Sequence, residues 1–548
     1  MASQAGGAPG DWHGMRVPPI RHELHFGDRV VACFADRPGS VHVLLVEAVG
    51  RNPGGDALVD GTERLSWADL DARVARAAAG LRARGVGAGD RVALLLGNRT
   101  EFVVTLFAVL RLGAVAVPLN VRQQTPELLF ALNDCGAKLL VHEADMAGRL
   151  PDPSGLPALA HRVAVGGPGA EPFAALLEDG AVAVPEPAAE EDTAVILYTS
   201  GTTGRPKGAM LSHLNIVHSA MHYEVCMGLT SADRSVLAVP ASHVTGLVAM
   251  IVAMARCAGA LVLMPAFKAA DFLALAARER MTHTVLVPAM YNLCLLQPDF
   301  DRHDLSAWRV GAYGGAPMPP ATIDALARKL PGLNLMNAYG ATETTSPTTM
   351  VPFGWTEAKS GTVGAPVPCA EVRVMGEDGR EVPAGEGGEV WTRGPMVVRG
   401  YWNRPDANAA EFAAGFWRSG DIGSMDADGF LRVFDRRKDV INRGGYKIFS
   451  IEVENVLAAH PDVVEAAVVA RPCEILGERV HAFVTRSGPG ATAEDLAAFC
   501  ARRLSDYKVP ETFTIRDEPL PRNANGKLVK TSLRDEVVAT VGPVRARR

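Results

Sequence analysis

Residues 198–208 read Tyr-Thr-Ser-Gly-Thr-Thr-Gly-Arg-Pro-Lys-Gly. The hydroxyls of Thr199, Ser200, Thr202 and Thr203, the backbone N–H groups around Gly201 and Gly204, and the charge of Lys207 are the donors that a phosphate chain needs. The run follows an apolar β-rich stretch, Ala194 to Leu197, and precedes a helix-like segment that begins at Ser212. The expected geometry is a Gly-rich loop between strand and helix. A Walker A loop is excluded, because it needs Gly directly before the lysine and Ser or Thr directly after it. Pro206 and Gly208 hold those places. A polar surface loop is the plain alternative for this composition. The ordered run TSGTTGxPKG favours phosphate binding.

A second group of chemistry-bearing residues is Asn337-Ala-Tyr-Gly-Ala-Thr-Glu-Thr, just after a strand-like run, Leu333 to Met336. Tyr339 offers a flat face to a base. Glu343 is a hard carboxylate suited to Mg²⁺. Thr342 can hydrogen-bond an α-phosphate. Alone, the octapeptide also reads as a Gly-punctuated turn with a buried tyrosine and a solvated glutamate.

Both elements resemble those of the adenylate-forming superfamily, which includes acyl-CoA synthetases, the adenylation domains of peptide synthetases, and firefly luciferase. The chain looks most like the acyl-CoA ligases. The similarity runs from about Leu65 to Leu533. It implies that Thr199, Ser200, Gly201, Thr202, Thr203, Gly204 and Lys207 cradle ATP phosphates. Tyr339 then lies against adenine, Thr342 at the phosphate, and Glu343 on magnesium.

Trp417-Arg-Ser-Gly-Asp-Ile-Gly resembles the family's ribose element. A carboxylate can accept hydrogen bonds from both ribose hydroxyls, which suits Asp421. An Asp in a Gly turn is the everyday alternative. The resemblance also places Arg436 at the ribose and Lys438 at a hinge. Pro521-Arg-Asn-Ala-Asn-Gly-Lys-Leu is similar to the C-terminal catalytic loop. Without that likeness Lys527 is a solvated surface charge. With it, Lys527 enters the active site during adenylation and stabilises charge between carboxylate and α-phosphate.

Arg443-Gly-Gly-Tyr-Lys-Ile puts Gly444 and Gly445 beside the pantetheine tunnel of coenzyme A by the same resemblance. Pro240-Ala-Ser-His-Val-Thr-Gly resembles the border of an acyl pocket, with His243 as gate and catalytic-site neighbour and Gly246 on the wall. A histidine on an apolar segment is also a common core residue. Tyr313, Gly314, Gly315 and Ala316, with Gly340, correspond to the opposite wall. The two wall segments contain no Arg or Lys, which argues against a dicarboxylate substrate.

The elements that must position these groups alternate. Helix-like stripes (Leu70, Val74, Ala77, Leu81; then Phe102 to Leu112) interleave with strand-like runs at Arg91 to Leu96 and Ala114 to Pro118. After the loop come strand-like runs Val236 to Val239, Leu261 to Met264, Thr284 to Val287 and Arg309 to Tyr313. Between them lie helix candidates Val244 to Ala255, Ala269 to Arg280, Pro288 to Leu296 and Pro319 to Leu330. This pattern predicts an α/β protein with mostly parallel sheets flanked by helices. Residues 151–191, rich in Pro, Gly and Ala, read as a long surface connection. Residues 1–28 read as loosely ordered.

At 548 residues the chain exceeds one ordinary core, so at least two domains are expected. Asp435-Arg-Arg-Lys-Asp reads as a solvated turn and marks the boundary. Residues 29–435 form the expected large N-terminal domain, and 436–548 a small α+β C-terminal domain that is mobile in the family. The latter is predicted to hold helices Ser450 to His460, with Ser450 as N-cap, and Thr492 to Leu504. A net charge of −6 gives no nucleic-acid surface.

The eight cysteines form no CxxC pair or zinc spacing and read as reduced thiols of a cytoplasmic protein. No secretory signal or Ser-Lys-Leu C-terminus is read. Leu247 to Met264, interrupted by Arg256, reads as a buried helix and strand rather than a span of about twenty apolar residues.

What the resemblance implies is two-step chemistry with ATP, Mg²⁺ and coenzyme A. A carboxylic acid, apolar and either fatty or aryl, becomes an acyl-adenylate and then a thioester. Two other readings remain open: an enzyme that loads a carrier protein or oxidises its adenylate, and a non-catalytic relative that only binds. Monomer and homodimer are both compatible with the family.

Overall fold

The computed structural model describes residues 10–167, 170–178, 183–199, 206–486, 491–522 and 528–541. It divides into two compact units. The larger holds residues up to 373 with 391–418 and 428–431; the smaller holds 374–390, 419–427 and 432–548.

The larger unit is built on two sheets. One runs in the order Glu171–Pro172, His161–Val165, Leu139–Glu143, Arg91–Leu95, Val115–Pro118, Thr193–Thr199, Lys207–Ser212, and only its last pair is antiparallel. The other has nine strands, parallel through its middle from Leu58 to Asn337. Strands such as Val310–Tyr313 and Ala260–Leu263 are buried along their whole length. Helices cover both faces of such strands, which is why they read as unbroken apolar runs. The α/β expectation therefore holds.

Local signals explain several helix starts. Ser66 and Asp69 form a reciprocal capping box at Trp67–Ala83, and Ser212 with Asn215 does the same for His213–Met227. The candidate helix Val244 to Ala255 differs from expectation. It runs as a π-helix, Thr245–Val252, before an α-helix, Ala253–Cys257. A run that is apolar on every side carries no periodicity from which turn width can be read. Residues 10–28, expected to be loose, carry three strands, of which Ile20–His25 pairs with Arg29–Phe34. The segment 151–191 includes the strand His161–Val165, paired in parallel with Leu139–Glu143.

In the smaller unit, long antiparallel strands Val463–Cys473 and Gly477–Arg486 form the centre, with Thr512–Arg516 alongside the second. Alternation sorts the first strand's side chains. Val468 packs with Val453, Leu457 and Leu496, whereas Ala467 and Val469 pack with Phe483, Leu533 and Val537.

Ser450 is the first residue of helix Ser450–Ala458, not its cap. Asp435 supplies the acceptor instead, taking the backbone N–H of Ser450 and that of Arg436. Asp435 is 1% exposed, so the charged run is not a wholly solvated turn. Burial pushes its carboxyl upward, with Lys530 opposing. Among the described residues no helix is long and apolar enough to cross a membrane.

Candidate active site

Thr199 and Lys207 sit opposite each other on antiparallel strands, Thr193–Thr199 and Lys207–Ser212. Thr199 and Lys207 thus flank the run on two antiparallel strands, where a loop between strand and helix was expected, and the helix begins six residues beyond Lys207, at His213. The dipole of that helix does not act directly at Lys207, because such fields fade within a turn. Ser200, Gly201, Thr202, Thr203 and Gly204 lie outside the described residues.

Lys207 is only 8% exposed. Its Nζ lies 2.5 Å from Glu411 Oε1 and 4.2 Å from the centre of the Tyr401 ring. The Tyr401 hydroxyl is 2.6 Å from Glu411 Oε2 and 2.9 Å from Glu343 Oε1. Burial, reinforced by the Glu343 charge, drives the Tyr401 phenol well above its ordinary range. The fold thus joins Lys207 to Glu343 through two residues that sequence reasoning did not single out. Glu343 sits in a short 3₁₀ turn, Thr342–Thr344, just past the strand Asn334–Tyr339. Its carbonyl accepts the Val398 N–H at 2.9 Å. Glu343 Oε2 takes no hydrogen bond from any described residue. A carboxylate oxygen left open beside a largely buried cluster is the donor type a hard divalent cation takes.

Tyr339 and Tyr313 end neighbouring parallel strands. The carboxyl ends of such strands are where α/β sheets bind ligands. Tyr339 and Thr342 are partly exposed there. Tyr313 is not: its side chain is in the core, and burial raises its hydroxyl to about 12.

Two proposed wall glycines have packing reasons of their own. A Cβ on Gly314 would stand 2.4 Å from the Ala338 carbonyl oxygen, and one on Gly246 would stand 2.2 Å from that of Pro240. A Cβ on Gly340 would crowd Ser346 and Pro347 at 3.2 Å. Gly315, at φ +77°, and Ala316 lie exposed. His243 is half-buried, and its Nδ1 accepts the Thr245 N–H at 3.3 Å. That leaves Nε2 to carry the proton in the neutral ring.

In the smaller unit, Asp421 and Arg436 are brought together, Oδ1 to Nε 3.1 Å. The Asp421 N–H donates to Ser419 Oγ, whose hydroxyl donates to the Val390 carbonyl. Lys438 is exposed, and its amine is lowered by partial desolvation, against the pull of Asp439. Gly444 and Gly445 have φ of +59° and +93°, a conformation that favours glycine. The Gly444 N–H donates to Leu476 and that of Gly445 to Asn442 Oδ1. Lys527 lies outside the described residues.

Residues 45–402 match the AMP-binding enzyme family, and residues 452–527 match the AMP-binding enzyme C-terminal domain. The chain belongs to the AMP-binding enzyme family. It is 37% identical over 485 residues to a feruloyl-CoA synthase of Amycolatopsis sp, covering 88% of this chain and 96% of that one. It is 34% identical over 494 residues to the long-chain-fatty-acid–CoA ligase FadD13 of Mycobacterium tuberculosis, covering 87% and 94%. Among solved structures, o-succinylbenzoate CoA synthetase from Bacillus subtilis, in complex with ATP and magnesium ion, superposes with a TM-score of 0.80. That pair is 32% identical over 90% of this chain and 98% of the other.

Proposed function

We infer that this chain is an AMP-forming acid–CoA ligase. ATP and a carboxylic acid give an acyl-adenylate and pyrophosphate; the thiol of coenzyme A then displaces AMP. In the first step a carboxylate oxygen bonds to the α-phosphorus as the bond to pyrophosphate breaks. In the second the thiol gives up its proton to solvent, the sulfur bonds to the acyl carbon, and the acyl–phosphate oxygen bond breaks to release AMP. The observation that carries this reading is the union of Lys207, Glu411, Tyr401 and Glu343 in one cluster, in a chain whose relatives over nearly their whole length are CoA ligases.

The residues take the following roles. The hydroxyls and N–H groups of 199–204 hold phosphate oxygens, and Thr342 takes the α-phosphate. Tyr339 stacks on adenine, and Asp421 with Arg436 recognises the ribose. Magnesium, when bound, supplies positive charge to the phosphates, and Glu343 is the residue that would hold it. Lys527 stabilises the adenylation transition state. Gly444 and Gly445 let backbone approach the pantetheine arm. His243 borders the acid. The substrate is an apolar acid, aryl or fatty, because the segments 240–246 and 313–318 carry no Arg or Lys for a second carboxylate. Ferulic and long-chain fatty acids, named for the two relatives, are the first to try. The cytoplasm, with its ATP and reduced coenzyme A, is the compartment that this chemistry needs.

The test is AMP release from ATP with Mg²⁺ and coenzyme A, across a panel of aryl and fatty acids. CoA-dependent release with one acid class is expected. Acid-dependent pyrophosphate exchange without CoA turnover would overturn the acceptor.

A further inference from the structure

The cluster around Tyr401 holds more acceptors than protons. A phenol has a single proton to donate. Tyr401 faces two carboxylate oxygens, Glu411 Oε2 at 2.6 Å and Glu343 Oε1 at 2.9 Å. It can donate to only one of them at a time, and the Glu411 oxygen is nearer. Charge adds a second constraint. Lys207 neutralises Glu411 at 2.5 Å. One carboxylate in the cluster, that of Glu343, is left without a cation among these four residues.

The scaffold fixes each member. The Tyr401 ring is fully buried. Its backbone N–H donates to Asn408 Oδ1 at 2.6 Å, and Asn408 Nδ2 donates back to the Tyr401 carbonyl at 3.1 Å. The flanking residues are stitched to the strand that bears Lys207. Met210 N–H donates to Gly400, and Trp402 N–H donates to the carbonyl of Gly208. Glu411 closes the helix Pro405–Glu411. The lysine, the ring and the carboxylate therefore belong to one rigid corner.

We propose that Tyr401 and Glu411 are positioning residues: Glu411 retains Lys207 and competes for the Tyr401 proton, and the share of that proton donated to Glu343 Oε1 orients this carboxylate, which has no cation among these four residues and stays open to a divalent one. Lys207 then acts chiefly through Glu411 and the Tyr401 ring rather than as a free phosphate clamp. This rests on the reading of Glu343 as the cation-holding residue. Glu411→Gln lets the amide donate to the phenol oxygen, which turns the phenol proton onto Glu343 and occupies it. Tyr401→Phe removes the oriented hydroxyl and leaves the ring under Lys207.

The experiment is a titration of Mn²⁺ into the intact protein with ATP and no acid, read by electron paramagnetic resonance. Melting temperature and the acid KM are measured alongside. Tyr401→Phe and Glu411→Gln are each expected to weaken Mn²⁺ binding about tenfold, the scale of a lost outer partner of a metal ligand. The acid KM stays within about twofold, because that loss is confined to the metal side. The double variant is expected to be no weaker than the worse single one, because both act through one hydroxyl.

Losses that multiply in the double variant would overturn the shared route. Unchanged binding in Tyr401→Phe, with lost binding in Glu343→Gln, would overturn the positioning role and leave Glu343 standing. Unchanged binding in Glu343→Gln would remove the reading underneath and the proposal with it. Should Tyr401→Phe fail to fold, Glu411→Gln decides alone, since the Glu411 side chain is a third exposed.

Discussion

Arg436 Nε lies 3.1 Å from Asp421 Oδ1, and the two partners differ sharply in solvent access: the arginine side chain is 49% exposed and the aspartate 8%. A half-exposed guanidinium loses most of its pair energy to water. The sheltered carboxylate is thus the more specific feature of the pair. Asp421→Ala is expected to raise the ATP KM about tenfold, and Arg436→Ala only about twofold. Steady-state kinetics with ATP varied would check the order. A larger loss from Arg436 would reverse the assignment.

Lys527→Ala is expected to lose adenylation, measured as ATP–pyrophosphate exchange, by at least about a hundredfold, the scale of one electrostatic contact in a transition state. Thioester formation from supplied acyl-adenylate should persist. Equal loss of both half-reactions would refute a role confined to the first.

Asp435 caps a helix from fifteen residues away. Asp435→Ala leaves the backbone N–H groups of Ser450 and Arg436 without this acceptor. The expected cost is about 1–3 kcal/mol, the range for a buried polar group left unsatisfied. Urea unfolding should show it as a lower midpoint for the smaller unit. An unshifted midpoint would mean that water replaces the carboxylate.

Several buried histidines of the larger unit are held neutral. Burial lowers His42, His213 and His283 to about 4 and His218 to about 3. For His218 the bonding agrees: Nδ1 donates to the Leu214 carbonyl, and Nε2 accepts the Phe34 N–H at 3.2 Å. A second proton has no place there. In the unfolded chain these rings protonate near pH 6.5. The folded form resists until pH falls to about 4. Stability is therefore full above about 6.5 and is lost as pH falls through that window. The urea midpoint of the larger unit should drop between pH 7 and pH 5. A flat midpoint would show that these sites admit water on protonation.

The parallel strands were legible in the sequence because both faces are covered, so Val310–Tyr313 and Ala260–Leu263 carry no polar alternation to confuse. The residues proposed to carry phosphate chemistry stand out in the sequence as short ordered runs. Their partners do not. Glu411 meets Lys207 across 204 residues, and Tyr401 meets Glu343 across 58. No local spacing encodes such contacts. Lys207–Ser212 was missed as a strand because it is short, contains Gly208, and ends directly on a helix cap. Ser450 looked like a cap because its type is right, and only the fold brings Asp435 to the same N–H. The wall glycines matched a pocket pattern, yet at Gly246 and Gly314 the neighbouring backbone alone already demands them.

The smaller unit is not one stretch of chain. It takes in 374–390 and 419–427 before the segment that starts at 432. The backbone crosses between units inside the strands Glu371–Met375, Gly388–Arg393 and Phe416–Met425. The apolar cores of the C-terminal part nevertheless lie wholly downstream of the charged run, between Ile441 and Val537. A fragment that begins just before Asp435 keeps both cores and the carboxylate that caps helix Ser450–Ala458, so truncation there separates the segment that carries Lys527 with its own packing intact.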